Sequence, residues 1–378
     1  DSQSGRDTLT TADTREHASI LIDRQSLIPD MAFLVQESEL IEPKKYHDAW
    51  HHKEKQQQAK WREAITKEFA DMKKRKVWRK IKRIDMPTDR RCVKSKWVFL
   101  IKRDGRFRAR LVACGYSQIP GVDYTDNYAP VINNVTYRIM LICEIVWKLT
   151  SKIIDVETAF LHGDLEEEIY MDCPDGLAHE NDECLLLLQT IYGLVQSARQ
   201  FFKKLVKCLK TIGFVGGVAD PCLMTKNYEK GIAMIGLYVD DCYCIGHKGA
   251  IEDTIAQIKA SGFNVKVEDT LEDYLSCNIV FNKDKTKAWL GQPHLIKNLD
   301  AKFGDLVKGM QRYKTPGTPG IGVTRPSADV RVKVNAKEQE LYRSGVGMLW
   351  YLVKHARQTL QMSYASYQRL SMERRQPQ

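Results

Sequence analysis

Apolar and polar positions follow two different periods along this chain, and the switches between them mark its elements. Residues 1 to about 40 are polar, rich in Ser, Thr and Asp and without sustained period, so they read as a linker or disordered lead-in. From 57 to 75, Trp61, Ala64, Ile65, Phe69 and Met72 fall on one stripe, which predicts an amphipathic helix. A period of two takes over in 94–102 and 106–112, and Asp104-Gly105 between them is a hairpin-turn signal. Gly121-Val122-Asp123-Tyr124 and Ala129-Pro130 read as loop. A helix is expected over 136–147, a strand over 149–156 and a strong helix over 197–212, stopped by Gly213. Apolar runs at 232–237 and 242–245 flank Tyr238-Val239-Asp240-Asp241. A helix at 251–261 follows, then short strands at 275–281 and 287–290 separated by Asn282-Lys283-Asp284-Lys285, then a helix at 294–303. Residues 312–336 are rich in Gly, Pro and Thr, a linker or extended connection before a helix at 338–360. No repeat is visible.

Charge changes this picture in one place. The net charge is +10, yet from Lys73 to Arg110 there are 17 Lys and Arg against three acids, +14, so the remainder sums to −4. The basic excess therefore sits in one segment, alternating with apolar residues through the first hairpin. A solvated charged face is the plain alternative; a basic hairpin aimed at phosphate suits the alternation better. The 43% apolar and 28% charged shares are those of a globular protein. No run approaches the roughly 18 apolar residues of a membrane span, so no membrane partner is expected. Ten scattered cysteines form no Cys-x-x-Cys, which points to a reduced intracellular compartment. Cys242-Tyr243-Cys244 with His247 lacks a second ligand pair for zinc. A chain that opens on Asp1 is expected to be a piece of something longer.

The candidate chemistry lies in Asp240-Asp241. Two adjacent carboxylates inside an apolar sequence are costly unless something positive neutralises them. In a regular strand they would point to opposite faces, whereas at a hairpin tip they converge, and Asp tolerates the dihedrals of a tight turn. A divalent-metal site is the natural reading. It needs a third carboxylate, and Asp155, at the end of a predicted strand, is the candidate.

Several passages taken in order resemble the reverse transcriptase of copia-type LTR retrotransposons, from about residue 45 to 365. They are Trp61-Arg62-Glu63-Ala64-Ile65 with Lys76-Val77-Trp78, Lys96-Trp97-Val98-Phe99, Arg108-Ala109-Arg110-Leu111-Val112-Ala113 and Ala129-Pro130-Val131. The series continues with Asp155-Val156-Glu157-Thr158-Ala159-Phe160-Leu161-His162-Gly163-Asp164-Leu165, Glu168-Ile169-Tyr170-Met171, Tyr192-Gly193-Leu194-Val195-Gln196-Ser197-Ala198-Arg199, Ala219-Asp220-Pro221-Cys222 and the Tyr-Val-Asp-Asp segment. Val195 and Ala198 stand where the family usually has Lys and Pro, and Cys242-Tyr243-Cys244 replaces an aliphatic run.

The resemblance implies an α+β right-hand polymerase, its palm an antiparallel sheet backed by helices, with a lead-in at 1–44, fingers and palm within 45–305 (fingers about 73–130 with the preceding helix), and a connection region at 306–378. It implies RNA-directed DNA synthesis from dNTPs on an RNA template with a DNA or RNA primer. Two Mg²⁺ ions, with Mn²⁺ as a substitute, would be held by Asp155, Asp240, Asp241 and the Val156 carbonyl. Asp240 is expected to bridge most directly, with Asp241 supporting. Phe160 takes the place of an aromatic gate against a 2′-hydroxyl, or else packs in the core. Lys96, Arg108 and Arg110 are candidates for the triphosphate. Tyr192, Gly193 and Gln196 resemble the segment over the nucleotide, although a plain helix-entry turn would also use Gly193.

Lys266 or Lys259 could supply a proton to pyrophosphate. The acidic stretch 164–168 reads as a solvated face, and His162 and His179 as surface or loop histidines. The family order places integrase and protease before this region and ribonuclease H after it. The residues beyond Tyr364 are too few for that last fold, so its activity is expected to be absent. Virus-like particles in the cytoplasm, with access to the nucleus, are the implied location. A rival class is a degraded remnant that binds nucleic acid without catalysis; a weaker one is a palm-type polymerase that does not copy RNA.

Overall fold

The structure, a computed structural model, describes residues 41–102, 105–269, 271, 274–275, 277–310 and 335–355. The expected lead-in, most of the 312–336 connection and the end of the last expected helix lie outside the described residues. In chain order the elements are α1 (Tyr46–Trp50), α2 (Lys55–Lys74), β1 (Trp78–Lys82), β2 (Cys92–Val93), β3 (Ser95–Ile101), β4 (Phe107–Ala113), α3 (Asn134–Val146), β5 (Thr150–Val156), β6 (Asp164–Met171) and β7 (Glu183–Gln189). Then come α4 (Ser197–Thr211), β8 (Val215–Gly216), β9 (Leu223–Tyr228), β10 (Gly231–Tyr238), β11 (Asp241–Gly246), α5 (Lys248–Ala260), β12 (Val265–Glu268), β13 (Asn278–Phe281), β14 (Ala288–Gly291), α6 (Pro293–Val307) and α7 (Ala336–His355). The α+β arrangement expected from the sequence is the one found.

The central sheet runs β12-β5-β11-β10-β9-β8, antiparallel throughout. Its core gathers Tyr137, Met140 and Leu141 from α3, Phe201, Leu205 and Leu209 from α4, and Ile251 and Ile258 from α5. Asn133 caps α3 by accepting from the Val135 amide at 2.9 Å. Gly213 ends α4 at φ +95°, a conformation only glycine adopts without strain. Beneath the sheet the buried Glu144 side chain accepts from Ser151 and Tyr243, so a buried polar group is satisfied rather than orphaned.

A second core carries the basic hairpin. α2 buries Trp61, Ile65 and Met72 against Phe99, Leu111 and Leu185, each fully buried side chain contributing about 1.5–3 kcal/mol. The alternation in β3 and β4 sorts cleanly: Trp97, Phe99, Ala109 and Leu111 face this core, while Lys96, Val98, Leu100, Arg108 and Arg110 share the other face. A four-stranded sheet, β1-β7-β6-β2, completes the unit. None of its four strands was anticipated by the periodicity. The acidic stretch belongs to β6, where Asp164 and Glu166 pair with Lys204 and Lys203 of α4 at 2.8 and 2.7 Å. Among the described residues no helix is long and apolar enough to cross a membrane.

Candidate active site

The Asp-Asp segment does form a hairpin, but its geometry differs from that expected. Tyr238 pairs with Asp241, so the loop is Val239-Asp240 and Asp241 is already the first residue of β11. The positive φ falls on Val239, at +52°, and not on an Asp. A two-residue hairpin loop whose twist matches its strands requires left-handed backbone at its first position, whatever residue stands there. For a β-branched side chain this costs on the order of 1–3 kcal/mol, held in place by the strands on either side.

Strand pairing brings the third carboxylate in. Asp155 of β5 lies directly opposite Asp241 of β11, and Lys266 of β12 lies opposite Asp155 on its other side. Cross-strand partners project to one face with Cβ atoms about 4.5–5.5 Å apart. The Asp240 carbonyl accepts from the Val156 amide at 3.0 Å, tying the loop to the end of β5. Burial raises the Asp155 carboxyl, and Asp240 adds repulsion that Lys102 and Lys266 only partly offset. Burial, then Asp240 and Asp155, push the Asp241 carboxyl to about 7. Three half-buried acids that repel one another are chemically suited to a hard cation, whose charge removes both penalties. Among the described residues no three His, Cys, Asp or Glu side chains stand close enough to hold an ion as they are. The carboxylates are register neighbours, not a finished ligand set.

Beside them runs a chain of ring contacts. Phe160, in a 3-10 turn (Ala159–Leu161), meets Tyr192 edge-on at 5.1 Å, and the Arg110 guanidinium lies over the Tyr192 ring at 4.1 Å. Phe160 packs against both hydrophobic cores, which also gives it a packing role. Arg110 Nε is buried with no hydrogen-bond partner among the described residues. Lys96 is exposed on the same face of the hairpin, and Arg108 is half-buried there. Lys102, where β3 ends, is near enough to Asp155 to lower its carboxyl, so this end of the basic hairpin lies within electrostatic reach of the carboxylates.

Gly193 sits at φ +88°, and a Cβ there would collide with the Ala113 carbonyl oxygen. The close approach it permits is to β4, whose Ala113 amide donates to the Tyr192 carbonyl at 2.8 Å. Gln196 is buried, and its amide is occupied: Nε2 donates to the Asp123 carbonyl at 2.8 Å and Oε1 accepts from Gln118 at 3.1 Å. Gln118, which in turn accepts from the Val195 amide, had no sequence signal beyond its place in a loop.

His162 overturns the surface expectation. It is buried, stacked on Phe263 at 4.8 Å and 3.3 Å from Arg75, and burial followed by that guanidinium lowers it to about 4. His179 is exposed, as expected. Of the two lysines, Lys266 is the register neighbour of Asp155 and pairs with Glu268, whereas Lys259 is exposed in the last turn of α5. Cys242 and Cys244 are buried in the sheet core.

Residues 75–304, more than half the chain, match the family described as reverse transcriptase (RNA-dependent DNA polymerase). The chain is 31% identical over 320 residues to the Retrovirus-related Pol polyprotein from transposon TNT 1-94 of Nicotiana tabacum, covering 82% of this chain and 23% of that one. It is 30% identical over 300 residues to the Pol polyprotein from transposon RE2 of Arabidopsis thaliana, covering 78% and 20%. The Transposon Ty1-MR1 Gag-Pol polyprotein of Saccharomyces cerevisiae is 24% identical over 348 residues, covering 83% and 19%. The chain thus spans less than a quarter of the length of these curated relatives. Among solved structures, the foamy viral protease-reverse transcriptase in complex with dsDNA is similar at TM-score 0.35 and 15% identity, over 77% of this chain and 47% of that one. On the family match and these relatives, the chain belongs to the reverse transcriptase family of copia-type retrotransposon Pol polyproteins.

Proposed function

We propose that this chain is an RNA-directed DNA polymerase that adds dNTPs to a primer 3′-hydroxyl on an RNA template. The observation that carries the reading is the pairing of Asp155 with Asp241, with Asp240 bonded through its carbonyl to Val156. Residues far apart in the chain thereby meet on one face of one sheet. In this reading the fingers are the basic hairpin and its supporting core, the palm is the six-stranded sheet, and a connection region follows.

Asp155, Asp240, Asp241 and the Val156 carbonyl would hold two Mg²⁺ ions, Mn²⁺ substituting. When bound, such ions lower the pKa of the attacking hydroxyl and neutralise charge developing at the α-phosphate. Arg110, Arg108 and Lys96 face the triphosphate from one side of the hairpin. Tyr192 holds the Arg110 guanidinium on one side and the Phe160 ring on the other. Phe160 then excludes a 2′-hydroxyl by its bulk. Gly193 and Gln196 act through position: one lets β4 and the Tyr192 segment touch, the other locks that segment to the 118–123 loop. Lys266, beside Asp155, is placed to give a proton to pyrophosphate. Template, primer and the other Pol segments, integrase and ribonuclease H, are its partners.

The test is primer extension on an RNA template by the wild type beside Asp240→Asn. Wild type extends; the variant retains duplex affinity within about twofold and loses extension by at least about 10³-fold, as removal of a central electrostatic group does. A wild type that binds RNA–DNA duplex yet incorporates nothing at any Mg²⁺ or Mn²⁺ concentration is a binding remnant. Extension on poly(dA) but not poly(rA) makes it a DNA-templated enzyme.

A further inference from the structure

Glu68 is a buried carboxyl with no part in the chemistry above, and its position connects two units of the proposed site. It projects from α2 into the second core, 8% exposed, among Trp61, Ile65, Met72 and Leu111. Its Oε1 accepts from the backbone amide of Leu111 at 3.2 Å. Among the described residues β4 pairs with no strand but β3, and the amides of Leu111 and Ala113 both face its other edge. Glu68 takes the first and the Tyr192 carbonyl takes the second. Arg110 immediately precedes the first of these anchors, so the Glu68 bond fixes the peptide that follows it. Its guanidinium ends over the ring of Tyr192, whose carbonyl takes the second anchor.

We propose that Glu68 is a positioning residue for the triphosphate grip, fixing β4 so that Arg110 meets the nucleotide. This rests on the polymerase reading. A carboxyl is unusual for such a place, since burying it without need is unfavourable and an apolar side chain would pack as well. Burial raises Glu68 to about 7, with the Leu111 amide, Arg110 and Arg108 drawing it back and Asp71 adding repulsion; the Tyr192 hydroxyl also faces it. The group thus holds its proton more tightly than an exposed carboxyl does. What it supplies is an acceptor for a strand edge that would otherwise be an unsatisfied buried amide. Glu42 accepts from the Ile101 amide of β3 at 2.8 Å, but from an exposed position where water could replace it.

Single-nucleotide incorporation on an RNA–DNA primer-template, run with wild type, Glu68→Ala, Glu68→Asp and Glu68→Gln, tests this. Glu68→Ala and Glu68→Asp, which remove or withdraw the acceptor, raise the dNTP KM about tenfold and leave kcat within about twofold, the size of one lost hydrogen bond. Glu68→Gln, with an amide oxygen at the same reach, returns KM to within about threefold of wild type. Hydrogen exchange at the Leu111 amide rises in the first two and not in the third. The proposal fails if Leu111 loses protection while KM stays put, if Gln is as impaired as Ala, or if kcat falls in step with thermal stability. Where Ala does not fold, Asp against Gln decides. A wild type without incorporation strikes the polymerase reading itself; equilibrium titration with dTTP on the same variants then judges Glu68 separately.

Discussion

Phe160 touches Tyr192 on one side and Phe201, at 6.5 Å, on the other, so its ring cannot swing freely. A ring so held can reject a hydroxyl by shape alone, and Phe160→Val makes room for one. We expect ribonucleotide incorporation to rise at least about tenfold relative to dNTP, measured in competition on one template. Unchanged sugar discrimination would return Phe160 to a packing role. Glu68 makes a second prediction through its proton. Because the folded protein holds that proton to about pH 7, where an unfolded Glu releases it near 4.5, stability from this group is complete below about 4.5 and declines as pH rises through 7. Glu68→Gln removes the decline. Urea unfolding at pH 5 and pH 8 checks it: wild type loses on the order of 3 kcal/mol more than Gln does across that interval. Equal losses would mean the carboxyl is better solvated than its burial indicates. Glu68 carried no signal in the chain, being one acid in a helix whose apolar stripe already explained it. His162 stands in a loop, as one of its two expected placements had it, but its burial was not legible, since a lone histidine does not announce that Phe263 will cover it.

Local order was legible where one period runs unbroken. α2, α4 and the basic hairpin announced themselves because each has one dry and one wet face, a property written in consecutive residues, and the Asp-Asp hairpin because two acids interrupt an apolar run. β1, β6 and β7 did not, because their surroundings come from elsewhere. Cys184, Leu185, Leu186 and Leu187 of β7 are buried on both faces, and a short continuous apolar run does not distinguish a strand from a buried helix. Contacts between elements were equally silent. Gly193 looked like a glycine for approach to a nucleotide, and the backbone it approaches is β4. Gly193→Ala therefore strains a positive φ and drives a Cβ into the Ala113 carbonyl. The expected cost is about 1–3 kcal/mol, read as a drop in Tm, with a raised dNTP KM from the displaced hairpin. A variant as stable as wild type would mean that the two segments separate without penalty.

The basic excess is a property of the whole chain that no fold was needed to see, and the fold shows where it is directed. Lys96, Arg108 and Arg110 share the hairpin face that points away from the second core, beside an acidic sheet end. Grip on a duplex by such a surface goes mainly to phosphates. Duplex affinity should therefore fall by about 10³–10⁵ between 50 and 200 mM salt if six to ten phosphates are neutralised, and be alike on unrelated sequences. Fluorescence anisotropy on two such duplexes tests both, and a salt-insensitive affinity would remove the hairpin from the interface. By itself the chain determined its family, its periodic elements, the sign of its surface and the residue types able to hold a metal, because these depend on neighbours in sequence. Which carboxylates face each other, which acid is buried under a strand and which glycine meets a backbone were decided only in three dimensions. Those facts are register and burial, and they arise from pairing between segments far apart along the chain.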